Sequence, residues 1–229
     1  SEFKRPFAAR TKNDQGVFDA LAYFVKSSTS GSPDLRHTGY YVVAPISTSS
    51  LRTAKYSMWL ELVTELAKEF PVVLVGQTYS KTPVSDMTAQ EFTAQVDGLP
   101  GVVNLIDQTP TRSAMAIIQS AKCVFCVDSG PLYMAQSYQV PAVSVWGTHH
   151  PGVRIGYSPE YMETAVWNTE VCPASPCYAH SGFTSRCPRG EHQFLCEPMS
   201  TVSVSHLLDK LEIVKRRSTP KPLGTFAKA

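Results

Sequence analysis

The feature that most constrains the fold is a segment, residues 122–147, in which two apolar runs flank a short helical stretch. The runs are Cys-Val-Phe-Cys-Val at 123–127 and Ala-Val-Ser-Val-Trp at 142–146. Between them, Asp128-Ser129-Gly130 predicts a tight turn, and Pro131 suits a first helical position, where its missing N–H costs nothing. The first amides of a helix lack partners and the helix dipole adds positive charge there, so this turn is suited to bind a phosphate or diphosphate. An ordinary strand-to-helix turn of any α/β protein is the alternative.

The rest of the chain alternates in the same way between apolar strands and amphipathic helices. Further strands are predicted at 40–44, 72–75, 102–106 and 165–167, and helices at 16–26, 55–70, 89–96, 113–121, 131–138 and 201–217. Near-continuous apolar strands separated by helices indicate a Rossmann-like parallel sheet with helices on both faces. Such sheets bind ligands beyond the carboxyl ends of their strands. The loops 45–54, 76–81 and 128–131 are therefore expected to lie together at one edge.

Composition excludes several classes of protein. The chain is 43% hydrophobic and 17% charged, with a net charge of +2. The one basic stretch that stands out, Lys210 to Lys221, is interpreted as a solvated helix end rather than a nucleic-acid-binding arm. No stretch reaches the roughly 18 apolar residues of a membrane span. The polar N-terminus shows no signal peptide, so a cytoplasmic location is expected. No Gly-x-Gly-x-x-Gly follows a predicted strand, which disfavours a dinucleotide-dependent oxidoreductase.

Six pieces in chain order carry a resemblance to a known family. They are Val42-Val-Ala-Pro-Ile-Ser-Thr-Ser-Ser50, Lys55, Val72-Val-Leu-Val-Gly76, Leu105-Ile-Asp-Gln-Thr109, Asp128-Ser-Gly-Pro131 and Pro141-Ala-Val-Ser-Val-Trp-Gly147. Together with a following cysteine-bearing segment, they resemble the C-terminal, donor-binding half of glycosyltransferase family 9, the ADP-heptose:lipopolysaccharide heptosyltransferase-like enzymes of the GT-B fold. The resemblance implies a single domain of the GT-B C-terminal type with a cysteine-rich segment attached.

The same resemblance implies roles for particular residues. Lys55 would place a positive charge on the donor diphosphate and the leaving nucleotide, although a solvated lysine at a helix start is the plain alternative. Asp128 would accept hydrogen bonds from sugar hydroxyls or orient its loop, and a helix-capping carboxylate is its alternative role. The remaining implied contacts with the nucleotide sugar are Ser47, Thr48, Thr111, Arg112, Ser129, Gly130, Pro131 and Tyr133.

The function implied is a glycosyltransferase donor domain that binds a nucleotide-diphosphate sugar for transfer to an acceptor hydroxyl on a glycan or protein. Tyr133 stands where the family often has histidine, so UDP- and GDP-sugars remain alternatives to ADP-heptose as donor. About 38 residues precede the first predicted strand, too few for the acceptor half that usually supplies the catalytic base. A separate acceptor-binding domain or subunit is therefore expected. A non-catalytic nucleotide or sugar-phosphate binding module, or an assembly subunit, is the alternative function.

Six cysteines fall into two sets. Cys123 and Cys126 lie three residues apart in one strand and are expected to face opposite sides of the sheet as small core residues. The other four crowd a segment rich in Pro, Ser and Gly: Cys172, Cys177, Cys187 and Cys196. Their spacing suits one tetrahedral site for structural zinc or iron, with His180 and His192 as substitute ligands. Two disulfides or free thiols are the alternatives, and no catalytic metal is expected.

The predicted domain organisation has four parts. Residues 1–38 form an N-terminal extension with a short helix, and 39–170 form the nucleotide-sugar-binding domain. The cysteine-rich segment spans 171–199, and 200–229 form a C-terminal helix and tail.

Overall fold

Six parallel strands form one sheet in the part of the chain that the computed structural model describes, residues 39–78, 86–179, 187–189 and 196–218. The strands are β1 (Tyr41–Ala44), β2 (Val72–Leu74), β3 (Val102–Asn104), β4 (Cys123–Val127), β5 (Ala142–Trp146) and β6 (Ala165–Trp167). Their order across the sheet is β3-β2-β1-β4-β5-β6. The chain thus runs outward from β1 to β3, returns to the centre, and runs outward again from β4. The predicted fold class is confirmed.

Helices cover both faces of this sheet. They are α1 (Tyr56–Leu66), α2 (Ala89–Val96), α3 (Thr111–Gln119), α4 (Gly130–Tyr138), α5 (Pro151–Ile155), α6 (Pro159–Glu163), α7 (Glu197–Ser200) and α8 (Val204–Ser218), with a 3₁₀ turn at Ser50–Arg52. Helices α5, α6, α7 and the 3₁₀ turn were not predicted, because three to five residues give too few turns to show a helical period. The helix predicted at 16–26 lies outside the described residues. None of the described helices combines the length and apolar character that a membrane-spanning helix requires.

The core consists of two apolar clusters, one on each face of the sheet. Tyr41 and Val43 of β1 pack with α1, α2 and α8, whereas Val42 packs with α3, α4 and α6 on the other face. Successive side chains of a strand point to opposite faces, which is why one short strand serves both clusters. Cys123 belongs to the first cluster and Cys126 to the second, as predicted.

Two helix starts are capped by side chains from elsewhere in the sequence or the next turn. Lys55, the N-cap residue of α1, provides no capping hydrogen bond. Instead, the carboxylate of Asp86 accepts hydrogen bonds from the backbone amides of Tyr56 at 3.1 Å and Ser57 at 2.9 Å. At α2, Thr88 and Glu91 form a reciprocal capping box. These caps stabilise the first turn of α1, which follows β1, and the first turn of α2, which precedes β3.

Candidate functional site

The loops that follow β1, β2 and β4 meet at the carboxyl edge of the sheet. Strands β1 and β4 are neighbours, and the connections that leave them pack on opposite faces. In a sheet with this strand order, a crevice opens at the point where the direction of winding reverses, and ligands bind there. The predicted convergence of the loops is observed for their described residues, which line one cavity; residues 79–81 of the second loop lie outside the described part of the chain.

A cavity of about 300 Å³ occupies that crevice, and we call it the edge cavity. Its volume lies at the lower end of the roughly 300–1,000 Å³ typical of small-molecule sites. Its polar lining includes Ser47, Thr48, Arg52, Thr111, Ser129 and Gly130. Among the described residues that line it, Arg52 is the only charged one. The edge cavity therefore combines hydroxyls, a helix start and one cation.

The start of α4 forms one wall of the edge cavity. Ser129, its N-cap residue, is extended (φ −154°, ψ 175°) and its side chain makes no capping hydrogen bond. The hydroxyl of Ser129 instead donates to the carbonyl of Val127 at 3.3 Å. Pro131 has no N–H, and the amide of Leu132 donates to the carbonyl of Ser129 at 3.0 Å. The start of α4 can therefore offer an anion the amides of Ser129 and Gly130 and the positive end of the helix dipole.

Arg52, a partly buried residue of the edge cavity, contacts the buried Asp128, and each side chain keeps one unpaired polar atom. Arg52 Nη1 donates to the backbone carbonyl of Asp128 at 2.8 Å, and Nη2 donates to Thr48 Oγ1 at 3.1 Å. The Asp128 carboxylate accepts a hydrogen bond from the hydroxyl of Tyr133 at Oδ1 (2.8 Å), while its Oδ2 lies 4.0 Å from Arg52 Nη1. Arg52 Nε and Asp128 Oδ2 are buried and have no hydrogen-bond partner in the described structure. The side chains of Arg52 and Asp128 are 20% and 5% exposed.

Burial and these contacts shift the pKa values of Arg52 and Tyr133. Burial lowers the pKa of the Arg52 guanidinium, an effect that the charge of Asp128 opposes and that of Arg154 reinforces. Arginine nevertheless stays protonated in proteins. Burial also raises the pKa of Tyr133, and its hydrogen bond to Asp128 acts in the same direction. Tyr133 therefore serves as a neutral donor to the carboxylate at neutral pH.

His149 lies buried in the loop after β5, close enough to sense the same charges. Burial lowers its pKa, Arg154 and Arg52 act in the same direction, and Asp128 opposes them. Its ring packs edge-on against Tyr178, with centroids 4.8 Å apart, and Nδ1 lies 3.1 Å from the hydroxyl of Thr148. His149 is thus a packed histidine whose neutral form is favoured. His150 caps α5 through Nδ1, which accepts from the amide of Gly152 at 2.8 Å.

The four clustered cysteines line a second, smaller cavity of about 30 Å³, which we call the thiol cavity. Burial raises the pKa of Cys196 to about 12, and Cys172, Cys177 and Cys187 contribute in the same direction. All six cysteines are free thiols in the structure. No group of three or more His, Cys, Asp or Glu side chains within the described residues is arranged to hold a metal ion. The predicted metal site is therefore not formed there, although its four thiols converge; His180 and His192 lie outside the described residues.

The cysteine segment also supports the loop after β5. The hydroxyl of Ser175 donates to the carbonyl of Gly147 at 2.9 Å, and the amide of Tyr178 donates to the carbonyl of Thr148 at 2.9 Å. The thiol cavity is lined by Leu51 as well, the residue before Arg52. The segment thus contacts two of the loops at the carboxyl edge of the sheet.

The structure separates the predicted site residues into two groups. Those that line the edge cavity are Ser47, Thr48, Thr111, Ser129, Gly130 and Pro131; those that do not are Lys55, Arg112, Asp128 and Tyr133. Lys55 and Arg112 are exposed, while Asp128 and Tyr133 contact Arg52 or each other beside the cavity. Arg52 was missed by the sequence reasoning. The sequence contained a clue to its role, because Arg52 is a basic residue in the predicted ligand loop after β1, three positions before Lys55.

Comparison with known proteins identifies the family. The model of glycosyltransferase family 9 (heptosyltransferase) matches residues 4–179, more than half of the 229 residues. The chain belongs to glycosyltransferase family 9. A search of curated protein sequences found no match.

Solved structures that resemble this family 9 chain share its fold at low sequence identity. The ADP-heptose lipopolysaccharide heptosyltransferase II of E. coli is 15% identical with a TM-score of 0.57, over 91% of this chain and 53% of that one. The iron-containing dodecameric glycosyltransferase TibC of enterotoxigenic E. coli is 17% identical with a TM-score of 0.59, over 78% and 47%. A family 9 glycosyltransferase from Veillonella parvula is 14% identical with a TM-score of 0.58, over 89% and 52%. The chain spans about half the length of these proteins.

Proposed function

We propose that this chain is the donor-binding part of a glycosyltransferase, which binds a nucleotide-diphosphate sugar and promotes transfer of its sugar to an acceptor hydroxyl. The observation that carries the proposal is the edge cavity, where the start of α4 and the partly buried Arg52 face one space between β1 and β4. Family membership gives sugar transfer as the general chemistry. TibC has been solved in complex with ADP-D-β-D-heptose, which makes ADP-heptose the first donor to test.

In this reaction the bond between the anomeric carbon and the diphosphate breaks as the acceptor oxygen attacks. Negative charge develops on the departing nucleotide diphosphate, and a fixed set of donors that meets this charge lowers the barrier. The amides at Ser129-Gly130 and the hydroxyls of Ser47 and Thr48 are placed for that role. A base must also take the proton of the acceptor hydroxyl. We assign that base, with the glycan or protein acceptor, to a separate acceptor-binding domain or subunit in the cytoplasm.

The residues beside the edge cavity have supporting roles in the proposal. Asp128, whose Oδ2 lacks a partner, would accept hydrogen bonds from sugar hydroxyls, with Tyr133 fixing its other oxygen. Thr111, at the start of α3, would lie near the nucleotide base. Lys55 and Arg112 are exposed, and substitution of each residue will show whether it contributes to donor binding.

Calorimetric titration with ADP, UDP, GDP and their sugar conjugates tests this function. We expect saturable binding of one diphosphate, weakened by Thr48→Val about tenfold, the effect of losing one hydrogen bond to a charged group. Thr64→Val is the matched control, because Thr64 is exposed on α1 and bonds only the carbonyl of Leu60 in its own helix. Failure of every nucleotide to bind the wild-type chain refutes the proposal.

A turnover assay separates the two classes of function. Release of nucleoside diphosphate from the bound sugar conjugate, in the presence of acceptor and the acceptor-binding partner, supports the transferase. Tight binding with no release under any of these conditions supports the alternative, a non-catalytic nucleotide-binding module or assembly subunit.

We also propose that the four clustered cysteines hold a structural zinc or iron ion. The support is their convergence on the thiol cavity, together with the iron reported for TibC. Small movements of the segment would have to bring the thiolates together, because the described side chains do not form a ready site. Elemental analysis of purified protein should find bound metal that Cys196→Ser loses and Cys126→Ser, in the buried sheet, retains. Metal-free wild-type protein, purified without chelators, would refute this assignment.

A further inference from the structure

We infer that Arg52, rather than Lys55, supplies the positive charge that binds the donor diphosphate. The inference rests on the proposed function and names the cation of the same site. It reverses the expectation from the sequence, in which Lys55 had that role and Arg52 had none.

The first argument is position. Arg52 lines the edge cavity and is the only charged residue among its described lining. Its guanidinium is held at two points, by Thr48 Oγ1 in its own loop and by the backbone carbonyl of Asp128 at the end of β4. The side chain therefore bridges the two central strands on either side of the crevice. Such an anchored guanidinium loses little conformational freedom when it binds a ligand.

The second argument is unused hydrogen-bonding capacity. A guanidinium has five N–H donors in a planar fork, and the described structure accounts for two of them. Arg52 Nε is buried and has no acceptor. Asp128 Oδ2 is also buried and has no donor, and the side chain of Asp128 is 5% exposed. Buried polar atoms are rarely left unpaired. A phosphoryl group matches the free part of the fork, and a donor hydroxyl matches the free carboxylate oxygen.

The third argument is the local charge. The negative charge of Asp128 partly offsets that of Arg52, but Arg154 acts on Arg52 as a second positive charge. The start of α4 adds the positive end of its dipole from the other wall of the edge cavity. Two positive walls suit a ligand with two linked phosphoryl groups better than a single phosphate.

Lys55 has none of these properties. It is exposed, it is absent from the described lining of the edge cavity, and it forms the N-cap of α1 without a side-chain hydrogen bond. An exposed lysine keeps its charge fully hydrated. Its attraction for an anion is therefore weak and readily screened by salt.

Calorimetric titration of matched variants tests the inference, with the nucleoside diphosphate that the wild type binds and with the corresponding nucleoside. We expect Arg52→Gln to weaken diphosphate binding about 10–100-fold, the effect of losing charge-assisted hydrogen bonds. Arg52→Lys should give an intermediate loss, because a single ammonium replaces the planar fork. Lys55→Gln and Lys55→Arg should bind within about twofold of wild type, as expected for a screened surface charge. Affinity for the nucleoside should change in none of the variants.

The outcomes separate this inference from the function on which it rests. If the wild type binds a diphosphate and the Lys55 variants lose it while Arg52→Gln retains it, the inference is overturned and the proposed function stands. If the wild type binds no nucleotide, both the inference about Arg52 and the proposed function are refuted. Circular dichroism and melting curves identify a variant that fails to fold. If Arg52→Gln fails to fold, the inference is tested by comparing Arg52→Lys with Lys55→Arg. Both variants keep a positive charge, and only Arg52→Lys is expected to weaken binding.

Discussion

Replacement of Ser144 by alanine tests whether a buried side-chain hydrogen bond within β5 stabilises the fold. Ser144 and Trp146 are two residues apart in β5, so their side chains lie on the same face of the strand. The indole Nε1 of Trp146 donates to Ser144 Oγ at 2.7 Å, and the two residues are 0% and 1% exposed, respectively. Alanine removes the acceptor and leaves the indole N–H buried.

The expected loss follows from that geometry. A buried donor without a partner costs about 1–3 kcal/mol, and complete burial places this one near the middle, at about 2 kcal/mol. For a domain of this size each kcal/mol corresponds to about 2–4 °C, so the melting temperature should fall by about 4–8 °C. Urea unfolding should show a lower midpoint with an unchanged slope, which indicates lost stability without a change in the surface exposed on unfolding.

Two comparisons make the result specific. Ser137→Ala alters an exposed serine on α4 that bonds only a carbonyl of its own helix, so it should change stability by less than about 0.5 kcal/mol. In a Trp146→Phe background there is no indole N–H, and Ser144→Ala should then cost at least about 1 kcal/mol less than in wild type. An equal cost in both backgrounds would show that the hydrogen bond is not the source of the stability.

Two further predictions concern the helix starts. Asp86→Ala removes both acceptors of the first amides of α1 and should lower the free energy of unfolding by about 1 kcal/mol in urea titration; a loss no larger than that of Asp209→Ala, an exposed mid-helix change, would contradict it. At α2, hydrogen bonds from Thr88 lower the pKa of Glu91 below its ordinary value of 4.5. Because the folded-state pKa is the lower one, Glu91 stabilises the protein fully above pH 4.5 and loses this effect as the pH falls further. Glu91→Gln should therefore flatten the decline in urea midpoint on the acid side of that value, and an unchanged decline would refute the assignment.

Local sequence patterns were sufficient for the central elements of the fold. The runs at 123–127 and 142–146 formed strands at those residues, and the helices predicted at 89–96 and 131–138 formed within one residue. These segments carry their own signal because a strand buried on both faces must be apolar throughout. The end of the third predicted strand was wrong: β3 stops at Asn104. Leu105 and Ile106 continue the apolar run, but Asp107 adopts a positive φ of 61° and turns the chain.

The candidate site was predictable as a place but not in its details. Parallel strands with alternating helices require ligand loops at one edge, so the convergence of residues 45–54 with 128–131 followed from the sequence. The direction of individual side chains did not. Lys55 and Arg52 are both basic residues in one loop, and the 3₁₀ turn at Ser50–Arg52 turns Arg52 towards Asp128 while Lys55 remains exposed.

The sequence by itself determined the class of fold, the buried strands and the loops that carry the edge cavity, because hydrophobic period and turn residues act over a few neighbouring positions. The tertiary structure decided the strand order, the pairing of Arg52 with Asp128 and the convergence of four thiols beside Leu51 and Gly147. Arg52 and Asp128 are 76 residues apart in the chain, and nothing local to either specifies the other. Contacts of that kind arise only when packing of the sheet and its helices fixes which side chains share a buried space.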